Sequence, residues 1–68
     1  MKGYYYIKCT KFEADDYYLC LGDNFRKVPT PLKIFTSIED ALDWKYYELD
    51  EEAFISIFDD YEMIIERL

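Results

Sequence analysis

Apolar positions alternate with polar ones near both ends of the chain and recur at helical spacing in the middle. Residues 4–12 are rich in aromatic and β-branched types, which favour a strand. Tyr5, Ile7 and Cys9 share one face of that strand, and Tyr4, Tyr6, Lys8 and Thr10 share the other. Glu13-Ala14-Asp15-Asp16 reads as a polar turn, and residues 17–21 as a second strand stopped by Gly22-Asp23-Asn24. The short link predicts a hairpin. Two registers compete. A loop over 14–16 sets Cys9 opposite Leu21 and puts Ile7, Cys9, Leu19 and Leu21 on one apolar face. A loop over 13–16 sets Cys9 opposite Cys20 and would allow a disulfide. The first is preferred, because a one-residue slip moves a strand's whole apolar set to the wrong side.

Phe25 to Val28 reads as a short extra strand, after which Pro29-Thr30-Pro31 enforces an extended path. A helix is predicted from 38 to about 49, with Ser37 as its N-cap and Glu39 and Asp40 in its first turn. Ile38, Ala41, Leu42, Tyr46 and Leu49 form its apolar stripe, and Asp40, Asp43, Trp44, Tyr47 and Glu51 its other side. Asp50-Glu51-Glu52 is read as its end. Residues 53–58 alternate like a strand, Asp59-Asp60 suits a two-residue turn, and residues 61–67 return as another strand. A helix through 53–67 competes with that hairpin. The expected fold is α+β: one domain over residues 1–68, with an antiparallel sheet of four strands, or five if 25–28 joins, in the order ββαββ, and one helix packed on one sheet face.

Size fits this reading, since 68 residues allow one small domain and no more. Hydrophobic residues make up 51% of the chain, too many for a disordered acidic segment. No run approaches the roughly 18 apolar residues of a membrane span, and the charged start without a long apolar run is not a signal-peptide pattern. A cytoplasmic location is the expectation. Two cysteines with ten residues between them match no zinc or redox spacing and read as reduced core thiols.

The stretch Ile34-Phe35-Thr36-Ser37-Ile38-Glu39-Asp40-Ala41-Leu42-Asp43-Trp44 resembles a strand-cap-helix pattern common in small ββαββ proteins of bacteria and their phages. The resemblance implies the fold and carries no catalytic residue.

Candidate chemistry is sparse. There is no histidine, no phosphate-binding glycine loop, and Ser37 is better explained as a cap. No catalytic residue, metal ligand or cofactor is assigned, and the chain is read as not an enzyme. Charge changes the picture more. Residues 1–12 carry +3, residues 13–36 carry −1 and residues 37–68 carry −9, within a total of −7. Such a field repels nucleic acid, and it steers association with basic protein surfaces. The expected acidic face is Asp40, Asp43, Glu48, Glu51, Asp59, Asp60 and Glu62, with Trp44 and Tyr47 as aromatic anchors. Short length, acidity and aromatic content resemble, as a class, small phage-encoded inhibitors of the anti-CRISPR and anti-restriction type, some of which act as a DNA mimic. That likeness implies inhibition of a host defence protein by occupation of its basic, nucleic-acid-binding surface. The alternative is a structural or assembly protein that homodimerises through an aromatic sheet face of Tyr4, Tyr6, Tyr18, Phe54, Phe58 and Ile64.

Overall fold

The computed structural model describes residues 2–68. Five strands, β1 (Lys2–Thr10), β2 (Tyr17–Cys20), β3 (Asn24–Arg26), β4 (Phe35–Ser37) and β5 (Glu62–Arg67), form one antiparallel sheet. Two short helices, α1 (Ile38–Asp43) and α2 (Glu51–Ile57), lie between β4 and β5, with a π-helical turn over Trp44–Glu48. The α+β class and the antiparallel sheet are as expected from the sequence. The order within it differs, because four strands precede the helices and one follows.

β1 organises the sheet. Tyr5 pairs with both Phe35 and Arg67, and Lys8 with both Tyr18 and Ile64. A strand has two edges, so β2 and β4 share one edge of β1 and β5 takes the other. Apolar side chains from one face of β1, β2, β4 and β5 meet the helical layer. Ile7 and Leu19 are fully buried there with Tyr5, Phe35, Ala41 and Trp44, and Phe25, Leu49, Met63 and Ile65 pack against them.

The β1–β2 register differs from both expected registers: Cys9 lies opposite Tyr17 and Lys8 opposite Tyr18. Relative to the preferred register, β2 has moved by an even number of residues. An even shift leaves every side chain on its predicted side, so Ile7, Cys9 and Leu19 still share the core face. Beyond β2 the chain reverses sharply. Gly22 (φ 88°) and Asp23 (φ 58°) turn the chain back at once into β3, which pairs Cys20 with Asn24 and leaves Leu21 in the turn and exposed. Cys20 lies three residues from Tyr17 and therefore faces away from Cys9. Both cysteines are buried and free.

The strand expected over 53–58 is a helix. Asp50 caps it, accepting a hydrogen bond from the Ala53 N–H at 3.2 Å, and Glu51 and Glu52 occupy the first turn. Acids stabilise a helix N-terminus and destabilise a C-terminus. Asp50-Glu51-Glu52 thus starts α2 and does not end the preceding helix. Phe54 and Phe58, one helical turn apart, stack at 5.4 Å. Asp59-Asp60 does form a turn, with Asp60 at φ 68°, and it leads from α2 into β5, which pairs with β1.

The first helix is also rotated from its expected setting. Ser37 caps it through the Asp40 N–H at 3.2 Å, as predicted. Its buried residues are Ala41 and Trp44, whereas Ile38 and Leu42 are more than a third exposed and Tyr46 is 74% exposed. Trp44 offers more apolar area than Tyr46, and its indole N–H finds an acceptor in Asp23 of the β2–β3 turn. The π-helical turn, closed by the Leu49 N–H on the Trp44 carbonyl at 3.1 Å, lets Leu49 follow Trp44 inward.

Candidate functional site

The buried position of Trp44 determines what surrounds it. The Trp44 Nε1–H donates to Asp23 Oδ1 at 3.0 Å, and Lys33 Nζ donates to the same oxygen. The Lys33 ammonium first, and the indole N–H second, hold the Asp23 carboxyl below the usual carboxylate range. Trp44 is only 5% exposed, so it is not the surface anchor that the sequence suggested. Tyr47, the other expected anchor, is 82% exposed.

Asp40, Asp43, Glu48 and Tyr47 stand around Trp44 on the helical surface, and all are exposed. They line one groove of about 440 Å³ with Ile34, Phe35, Thr36 and the edge of Trp44. Thr36 Oγ1 sits 3.5 Å from Asp40 Oδ2, tying the end of β4 to α1. The groove therefore combines three carboxylates, one phenol and an apolar floor.

The remaining expected acids do not join it. Glu51 is exposed in the first turn of α2. Asp59 and Asp60 lie in the α2–β5 turn, and Glu62 begins β5 beside Thr10. The acidic face is thus split between the groove, the start of α2 and the α2–β5 turn.

Ion pairs among the described residues involve other acids: Lys8 with Asp16 and Glu66, Lys27 with Asp15, and Lys33 with Asp23. None of the seven acids named from the sequence takes part. Lys8, Glu66 and Tyr6 form a network on the sheet face away from the helices. The Tyr6 hydroxyl donates to Glu66 at 2.7 Å, and Lys8 lies 2.9 Å from the same carboxylate. Tyr6 first, then Lys8, keeps the Glu66 carboxyl below its ordinary range, while Glu66 raises the Lys8 ammonium and the Tyr6 phenol. Tyr4, Tyr6, Tyr18 and Ile64 are on this face as expected. Phe54 and Phe58 are not, since α2 carries them into a ring cluster with Phe25, Tyr17 and Tyr61 on the core side.

A second cleft, of about 420 Å³, opens on the other side of Trp44 and Glu48, between the π-helical turn, β3 and α2. Phe25, Leu49, Ala53, Phe54, Ile57 and Phe58 make its walls. Sequence reasoning missed it, because reading 53–58 as a strand put Phe54 and Phe58 on the opposite sheet face. The one-turn spacing of Phe54 and Phe58 behind Asp50-Glu51-Glu52 was the available signal.

Among the described residues no three His, Cys, Asp or Glu side chains gather as a metal site. Within the same residues no helix is long and apolar enough to cross a membrane. No known protein family, curated protein or solved structure matches the chain.

Proposed function

We propose that this chain is a protein-binding module that uses its acidic groove to occupy a basic, nucleic-acid-binding surface of another protein and so inhibits it. The observation that carries this reading is the groove of Asp40, Asp43, Glu48 and Tyr47. Three exposed carboxylates converge there, none in an ion pair among the described residues, beside an exposed phenol and an apolar floor. A guanidinium or ammonium group from a partner supplies the missing counter-charge, and its aliphatic stem covers the floor. In this role the carboxylates stand where phosphates of the partner's nucleic acid would, as in a phage-encoded inhibitor of a host defence protein. The partner is a protein, with no direct binding of nucleic acid by this chain. Self-association through the open sheet face is the weaker reading, because two of the six side chains it needed lie elsewhere and Tyr6, Lys8 and Glu66 satisfy one another.

Affinity capture from a bacterial lysate at low and high salt tests the proposal. Recovery of a basic nucleic-acid-binding protein is expected, lost at high salt, competed by nucleic acid and abolished by Asp43→Lys with Glu48→Lys. Screening beyond about 10 Å at 0.1 M salt gives the salt dependence its direction. Binding indifferent to salt, or a ternary complex with nucleic acid, would overturn it.

A further inference from the structure

We infer that the apolar cleft between the π-helical turn and α2 receives one large apolar side chain from the same basic partner segment whose cations enter the acidic groove. The inference rests on the proposed function and names the partner's chemistry: a Phe, Trp or Leu flanked by Arg or Lys. Trp44 and Glu48 line both the groove and the cleft, so the two sites share one wall. A single segment crossing that wall reaches both.

The cleft, at about 420 Å³, is large enough to admit a bulky side chain, and its walls are largely apolar. Ile57 on its rim is 71% exposed and Ala53 is exposed, so the mouth is open. Charge selects the occupant. Asp23, Glu48 and Asp50 stand at the cleft. Asp23 already accepts from Lys33 and Trp44, and Asp50 caps α2. Glu48 has no such internal partner among the described residues, and Glu51 and Glu52 follow at the start of α2. An acidic segment or an anionic lipid surface meets repulsion at this mouth. A cationic segment is drawn to it and loses little by burying one apolar residue between its charges.

The test uses the whole chain and three synthetic peptides: an Arg/Lys peptide with a central Phe, the same peptide with a central Gly, and a Phe peptide with Gln in place of every cation. Isothermal titration at low and moderate salt reads the affinities. The basic Phe peptide should bind roughly tenfold tighter than the basic Gly peptide, the gain expected from burying one ring. Ala53→Phe, which fills the cleft from an exposed helix position, should erase that difference and leave the Gly peptide unchanged. Methyl chemical shifts of Leu49 and Ile57 in the unmodified chain, moving with the Phe peptide alone, give the same answer without any substitution. Equal, salt-sensitive binding of the two basic peptides overturns the cleft inference and leaves the acidic groove standing. No binding of either at low salt overturns both. A neutral Phe peptide that binds as tightly as the basic one overturns the charge-selected occupant.

Discussion

Replacing Trp44 by Phe separates a core tryptophan from a surface anchor. The substitution keeps an aromatic ring in a site that is 5% exposed, removes the indole N–H and leaves part of the side-chain volume empty. Hydrogen bonds to charged groups contribute about 1.5–3 kcal/mol. The Asp23 side chain is 45% exposed, so solvent screening puts this one near 1 kcal/mol. Full truncation of a buried Trp costs about 3–5 kcal/mol, and loss of roughly a third of the side chain adds about 1–1.5 kcal/mol. The expected total is roughly 2–3 kcal/mol, against a whole-domain stability of roughly 3–10 kcal/mol for 68 residues. Trp44→Ala would leave little fold to measure, which is why Phe is the useful replacement. Urea unfolding followed by far-UV circular dichroism is the assay, since the chain has no other tryptophan to report fluorescence. A double-mutant cycle with Asp23→Ala isolates the hydrogen bond. Asp23 has φ 58°, so Ala there adds backbone strain, and the cycle cancels that contribution. Coupling of about 1 kcal/mol is expected. A cost within about 0.5 kcal/mol for Trp44→Phe, the range of surface changes, would refute the buried placement. Additivity with Asp23→Ala would refute the hydrogen bond alone.

Asp50→Ala should cost about 1 kcal/mol and raise amide exchange across 53–57, because it removes the cap of α2; no change would favour a strand there. The depressed carboxyls of Asp23 and Glu66 contribute stability that is present above the ordinary carboxylate pKa of about 4 and lost as pH falls through their lower folded values. The urea midpoint should therefore drop below about pH 4, less steeply in Asp23→Asn. Lys8 and Tyr6 are raised, so their contribution is present below their ordinary values near 10 and lost as pH rises through the folded ones; Glu66→Gln should flatten that alkaline loss. Burial pushes the Cys9 thiol up to about 12, so alkylation of Cys9 in the native chain should be slow, and in urea without reductant both cysteines should react; a disulfide would contradict the β1–β2 register.

The alternation of Tyr5, Ile7 and Cys9, the Ser37 cap and the Asp60 turn were legible because each depends on neighbours in sequence. The sheet order was not. β1 carries β2, β4 and β5 on its two edges, and nothing in residues 2–10 says that two strands share one edge. The helix at 51–57 was legible in principle. Three acids in a row suit the start of a helix and oppose the end of one, and that electrostatic preference outranks the weak alternation of 53–58. Trp44 was the harder case. Flanked by Asp43 and Lys45, it has no local sign of burial. Its acceptor, Asp23, lies 21 residues away and becomes available only once the β2–β3 turn has formed.

Burying Trp44 also explains why the candidate groove exists. On a helix the neighbours of a side chain are those three and four positions away. Around Trp44 these include Asp40, Tyr47 and Glu48, with Asp43 adjacent. Once the indole is drawn inward to Asp23, these four side chains ring it and point outward, three of them acidic. Three of the acids identified from the sequence thus gather for a reason opposite to the one first assigned: the tryptophan organises Asp40, Asp43 and Glu48 from beneath and is not displayed among them. A consequence for binding follows. Trp44→Phe, by loosening the turn that carries Tyr47 and Glu48, should weaken capture of a basic partner although the indole lies largely beneath that surface, and Asp23→Ala should do the same from the β2–β3 turn by removing the indole's acceptor. Removing the Thr36 hydroxyl, which touches Asp40 from outside the core, should affect the groove much less.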